Sequence, residues 1–150
     1  MKKVVKFGGS SLASAEQFKK VGEIIRSDEG RRYVVPSAPG KRFNSDIKVT
    51  DMLYQCYALA EQGKDFDNEL KAIKERYYEI IHGLSLDLSL NEEFKTIKKN
   101  FQEKAGSDYA ASRGEYLNGI VMANYLGYEF LDAAQRSEER RVGKECHFEC

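Results

Sequence analysis

Apolar positions along the chain follow two alternating rhythms, which predict strands and helices in turn. Val4, Val5 and Phe7 make a short β-prone run that stops at Gly8-Gly9-Ser10-Ser11, and a helical pattern begins at once. In that helix Ser14 is placed to cap the first turn, with Gln17 reaching back, and Phe18, Val21, Ile24 and Ile25 share one face. A second β-prone run, Arg32-Tyr33-Val34-Val35, leads into Pro36-Ser37-Ala38-Pro39-Gly40-Lys41, which holds both prolines of the chain. Pro36 lacks a backbone donor, so the expectation is that this strand's ladder stops by Val35 or loses a bond.

Helical spacing resumes at Val49 and runs to about Glu61, with Met52, Leu53, Cys56, Tyr57, Leu59 and Ala60 recurring and Gly63 ending the run. Two amphipathic stretches follow at 66–81 and 91–104, Lys- and Glu-rich on one side and apolar on the other, and read as a helical insertion. A long pattern over 107–125 carries Tyr109, Leu117, Ile120, Val121 and Tyr125, and Gly127 closes it before a third β-prone run, Tyr128-Glu129-Phe130-Leu131-Asp132. Strands separated by helices predict an α/β fold: a mainly parallel sheet with helices on its faces.

Length and composition fit one ordinary globular domain: 150 residues, 41% hydrophobic and 32% charged. Lys plus Arg total 24 and Asp plus Glu total 24, so no long-range field favours nucleic acid or an acidic membrane surface. No apolar run is long enough to span a bilayer, and a cytoplasmic protein is expected. The cysteines, Cys56, Cys146 and Cys150, are odd in number and sparse, which argues against a secreted disulfide framework.

Paired glycines with hydroxyls, set between a strand and a helix amino terminus, put backbone N–H groups and a positive dipole end where a phosphate can sit. Lys6 at the strand end adds a point charge, and positioning with charge neutralisation is most of what phosphoryl transfer asks of a protein. The same residues also suit a plain tight turn beside a solvated lysine, and on this stretch alone both readings stay open. The spacing is neither that of a P-loop nor that of a dinucleotide fold.

Three strings decide between them. Lys6-Phe7-Gly8-Gly9-Ser10-Ser11-Leu12-Ala13 resembles the opening signature of aspartate kinases, within the wider amino acid kinase fold. Val35-Pro36-Ser37-Ala38-Pro39-Gly40-Lys41 with Lys48-Val49-Thr50-Asp51-Met52-Leu53-Tyr54 is similar to that family's second loop and following helix, and Ser112-Arg113-Gly114-Glu115-Tyr116-Leu117 to its Ser-His/Arg-Gly-Glu segment. The resemblance covers roughly residues 2 to 134 and implies a partial amino acid kinase fold over residues 1–134.

The resemblance implies that Lys6, Phe7, Gly8, Gly9 and Ser10 bind ATP, with Lys6 stabilising the charge that builds during transfer. Thr50 and Glu115 then hold L-aspartate, with Ser37 as a supporting hydroxyl. A buried carboxylate such as Glu115 suits an ammonium group, and Thr50 offers a hydroxyl at a helix start. Each has a plainer role: Glu115 on a solvated helix face, Thr50 as an N-cap. The implied reaction is attack of the substrate β-carboxylate on the γ-phosphate to give 4-phospho-L-aspartate, with Mg2+ accompanying ATP. The parent enzyme is expected to be a homo-oligomer serving lysine, threonine and methionine biosynthesis.

Ser107 or Asp108 is read as a helix cap, His82 as a cap or surface residue, and Tyr54, Tyr77 and Tyr78 as packing. The family's later Gly-Ser-Asp segment, its ADP-binding half and its regulatory domains have no counterpart, so the chain is expected not to catalyse alone. Residues 135–150 are polar and aperiodic, and the part from Arg136 to Cys146 resembles the translation of a sequencing adapter; a non-native or disordered tail is expected there. Cys146, His147 and Cys150 are too few for a zinc site, and no metal ligands are assigned. Two alternatives stand beside the leading one: another amino acid kinase, or a catalytically inactive truncated binding module.

Overall fold

A computed structural model describes residues 3–27, 31–131 and 147–149. The chain opens with β1 (Lys3–Phe7), a 3-10 turn (Gly9–Leu12), α1 (Ala15–Arg26) and β2 (Arg31–Pro36). β1 and β2 pair in parallel, with Val5 opposite Val34 and Phe7 opposite Pro36, so α1 is the crossover of a β-α-β unit. Ser14 caps α1 as its spacing predicts, its hydroxyl accepting from the Gln17 backbone N–H at 3.4 Å. Phe18, Val21 and Ile25 are buried, but Ile24 is 48% exposed, and Gly22 takes the fourth place on the inner face because the Tyr125 ring packs there.

The strand runs one residue further than Pro36 seemed to allow. Ser37 N–H donates to the Phe7 carbonyl at 3.1 Å. Successive N–H groups of a strand point to opposite sides, so the donor that Pro36 lacks would have faced away from β1, and the ladder loses nothing.

Four helices follow: α2 (Val49–Glu61), α3 (Asp67–Gly83), α4 (Asn91–Gln102) and α5 (Ser107–Leu126). α5 packs against α2, α3, α4 and β2, and buries residues on nearly every side, among them Leu117, Asn118, Gly119, Val121 and Met122. A helix enclosed this way loses the one-sided pattern its sequence suggested, and Tyr109, Ile120 and Tyr125 are only half-buried. Its amino-terminal cap is Gly106, at φ +112°, rather than Ser107 or Asp108, and Gly127, at φ +74°, ends it in the left-handed conformation.

Tyr77 and Phe101 are among the largest fully buried side chains, and Tyr57, Phe66 and Tyr109 gather around Phe101 with ring centroids 5.3 to 6.2 Å apart. α3 and α4 thus share one core with α1, α2 and α5. Tyr78 is half-buried and Tyr54 is 45% exposed, so of the three tyrosines assigned to packing only Tyr77 is fully inside. His82 is an exposed residue in the last turn of α3.

The third strand departs from the expected parallel sheet. β3 (Glu129–Leu131) pairs antiparallel with β4 (His147–Glu149), and β4 lies beside β2 without a shared ladder. The parallel pairing is thus confined, among the described residues, to β1 and β2. The result is a mixed α/β fold, mostly helical, with a small parallel sheet. Of the expected disordered tail, residues 135–146 and 150 lie outside the described residues; 147–149 form β4. Among the described residues no helix is long and apolar enough to cross a membrane.

Candidate active site

The site grows from a contact between two backbones. Gly40 N–H donates to the Gly9 carbonyl at 2.8 Å, so the loop after β1 and the loop after β2 touch main chain to main chain. A Cβ on Gly9 would lie 2.9 Å from the Ala38 oxygen, and one on Gly40 would lie 2.7 Å from the Gly9 carbonyl carbon. Neither position has room for a side chain. Gly8 differs: it caps the 3-10 turn in extended geometry and has open space where its side chain would be.

Two buried side chains fix the second loop from behind, and a third fixes the helix that packs against it. Asn118 of α5 donates to the Ser37 carbonyl at 2.7 Å. Tyr77 of α3 donates to the Gly114 carbonyl at 2.8 Å, where α5 approaches so closely that a Cβ on Gly114 would lie 2.6 Å from that of Ala38. Arg76, 4% exposed, donates to the Gly40 carbonyl at 2.7 Å and the Ile47 carbonyl at 2.8 Å. Burial, and then the like charge of Arg42, pull the Arg76 guanidinium below its usual range, while Asp46 and Glu79 oppose them. Asp46 grips Arg42 in a two-pronged pair at 2.7 and 3.1 Å, and that hydrogen bonding holds its carboxyl well below the ordinary carboxylate range against the effect of burial.

These contacts shape a cleft of about 710 Å3 between the two loops, the start of α2 and one face of α5. Gly9, Ser10, Ser37, Thr50 and Glu115, five of the residues singled out in the sequence, line it together. Lys6, Phe7 and Gly8 do not; they precede it in the chain, Lys6 exposed at the end of β1 and Phe7 half-buried against the core. Glu115 is exposed rather than buried, because it stands on the cleft side of α5 while Gly114 and Leu117 face inward. Thr50 is the second residue of α2 and not its cap, which is Lys48, so its hydroxyl is not tied to capping.

Lys41, Lys48 and Ser112 also line the cleft, although nothing in the strings that contain them marks a role for them. The Ser112 hydroxyl is committed: it donates to the Tyr109 carbonyl at 2.7 Å and accepts from Arg113 at 3.1 and 3.2 Å. Arg113 itself lies between the rings of Tyr109 and Tyr116, 4.7 and 4.4 Å from their centroids. No hydrogen bond or ion pair to a described residue engages the ammonium of Lys41 or Lys48. Among the described residues no three His, Cys, Asp or Glu side chains group as metal ligands.

A glycine-backed cleft between a β-α-β unit and a helical layer, lined by hydroxyls, two ammonium groups and a carboxylate, is suited to a small zwitterion and an anion side by side. The family comparison agrees. The amino acid kinase family matches residues 1–143, and the chain belongs to that family. Within it, the similar proteins are aspartate kinases. The chain is 38% identical over 137 residues to aspartokinase 3 of Bacillus subtilis (strain 168), covering 87% of this chain and 30% of that protein. Against chloroplastic aspartokinase 1 of Arabidopsis thaliana the identity is 32% over 142 residues, covering 88% and 24%. Among solved structures, aspartate kinase of Clostridium acetobutylicum matches with a TM-score of 0.84 at 54% identity, over 89% of this chain and 31% of that one. Aspartokinase III of E. coli in complex with aspartate and ADP matches with a TM-score of 0.67 at 25% identity, over 85% and 29%. The chain therefore spans less than a third of the length of each.

Proposed function

We propose that the chain is the amino-terminal part of the catalytic domain of a cytoplasmic aspartate kinase, which transfers the γ-phosphate of ATP to the β-carboxylate of L-aspartate. The observation that carries this reading is the single cleft that joins Gly9 and Ser10 to Ser37, Thr50 and Glu115. Glu115 faces the substrate ammonium and Thr50 bonds a carboxylate oxygen, with Ser37 beside them. The phosphates lie along Gly8–Ser10, whose tight crossing with Gly40 brings main-chain N–H groups close to the ligand, and Lys6 neutralises charge on the transferring group. Magnesium, on this reading, arrives with the nucleotide. Aspartate and ADP are bound in the similar E. coli enzyme, which supports both ligands here.

The test is calorimetric titration of the purified chain with L-aspartate, beside an aspartyl-hydroxamate assay with ATP and magnesium. Saturable aspartate binding, lost in Glu115→Ala and weakened in Thr50→Ala, is expected, with no hydroxamate formed by the chain alone. Binding that ignores both substitutions would remove these residues from the site. Robust turnover would show that the chain needs no further segment.

A further inference from the structure

The two cleft lysines share a feature of the backbone that spacing does not reveal. The carbonyls that Arg76 binds belong to Gly40 and Ile47, the residues immediately before Lys41 and Lys48. One buried guanidinium therefore fixes both peptide bonds that lead into the cleft lysines, at 2.7 and 2.8 Å. The intervening segment is closed by the Arg42–Asp46 pair, and Asp46 also lies 3.7 Å from Arg76. Val49 N–H donates to the Pro39 carbonyl at 3.0 Å, tying the two ends of the loop together. Seven positions apart in sequence, Lys41 and Lys48 are thus held on one wall of one cleft.

The charges in that cleft are two ammonium groups, Lys41 and Lys48, and one carboxylate, Glu115. An acidic amino acid carries the complement: two carboxylates and one ammonium. An uncharged amino acid carries only one of each, so one of the two lysines would gain no partner from it.

We propose that Lys41 and Lys48 together recognise the two carboxylates of an acidic amino acid, and that Arg76 is the positioning residue that presents them as a pair. This inference rests on the aspartate reading above and adds the groups that select a dicarboxylate. Arg76 contacts no substrate; its role is to stop the loop from carrying the lysines apart.

The test is titration of the full chain with L-aspartate, L-asparagine and ATP, at low and high salt. Lys41→Ala and Lys48→Ala are each expected to weaken aspartate binding about five-fold and the pair about 30-fold, with asparagine affinity changed much less. The double variant should also lose most of the salt dependence of aspartate binding, a readout that a purely structural role would not move. Both lysines are exposed, so these variants are expected to keep the melting temperature of the unsubstituted chain. Arg76→Met should reproduce the double variant's loss of preference for aspartate over asparagine, and Arg76→Lys should recover part of it. If Arg76→Met fails to fold, the lysine variants decide alone. Undiminished aspartate affinity in the double variant overturns the proposal while leaving the aspartate reading intact, as does a loss confined to ATP. Absence of aspartate binding by the unsubstituted chain overturns both.

Discussion

Gly40→Ala isolates the loop crossing on which the cleft depends. The added Cβ would meet the Gly9 carbonyl carbon at 2.7 Å and the Gly9 oxygen and Ser10 nitrogen at 2.9 Å. Carbon contacts settle near about 3.5 Å, so the two loops must part by about 0.8 Å. All three neighbours are main-chain atoms, and no side chain can swing aside. Gly40 cannot retreat freely either, because Arg76 holds its carbonyl at 2.7 Å. Parting the loops that far stretches the Gly40 N–H to Gly9 bond from 2.8 Å to beyond hydrogen-bonding distance. Overpacking of this kind costs about 1–3 kcal/mol and the lost bond about 1 kcal/mol more, for a total of about 2–4 kcal/mol. In a chain of this size that lowers the melting temperature by about 4–16 °C. The assay is thermal unfolding followed by circular dichroism, with Gly8→Ala as the control. Gly8 has nothing within 4 Å of its would-be Cβ and an extended backbone, so its substitution should stay within about 0.5 kcal/mol. Equal melting temperatures for Gly40→Ala and the parent would refute the backbone contact as the support of the cleft.

The remaining predictions concern ionisation. Because Arg42 holds the folded Asp46 carboxyl below its ordinary range, the pair adds stability above the unfolded carboxylate pKa, and this is lost as pH falls below about 4. The stability gap between the parent and Asp46→Asn should therefore be full at pH 7 and shrink on acidification; a gap constant from pH 7 to about 2.5 would contradict the pairing. Burial, with Glu69 and Asp67 adding to it, pushes the Cys56 thiol up to about 12. In a chain carrying Cys146→Ser and Cys150→Ser, Cys56 should resist an aromatic disulfide reagent at about pH 8 and react once urea unfolds the protein. Rapid labelling of the folded chain would contradict its burial.

Helix positions were legible in the sequence wherever one face carried the signal. Val49–Glu61 emerges as its apolar spacing predicts, and the Ser14 cap and Gly127 stop fall at the expected residues. Local reading failed where a neighbour distant in sequence decided the outcome. Ile24 looks like a core residue from its spacing, yet Tyr125, about a hundred residues away, packs on Gly22 and leaves Ile24 in solvent. β3 has the residues of a strand, but its partner was set by β4, which no pattern around residue 130 could announce.

The cleft repeats that lesson in its chemistry. Gly9, Ser10, Ser37, Thr50 and Glu115, which line the cleft, each sit in a recognisable string, and Lys41 and Lys48, which line it too, sit in equally visible strings that mark no role for them. What distinguishes them is Arg76, 36 and 29 residues from the carbonyls it binds, in a helix whose sequence reads only as amphipathic filler. The same helix supplies Tyr77 to the Gly114 carbonyl, and α5 reaches back 81 residues to Ser37. The stretch read as a helical insertion is therefore not an accessory to the site. Removing it would take away the guanidinium that shapes the second loop, and with it the relation between the lysines and Glu115 on which the proposed discrimination by charge rests.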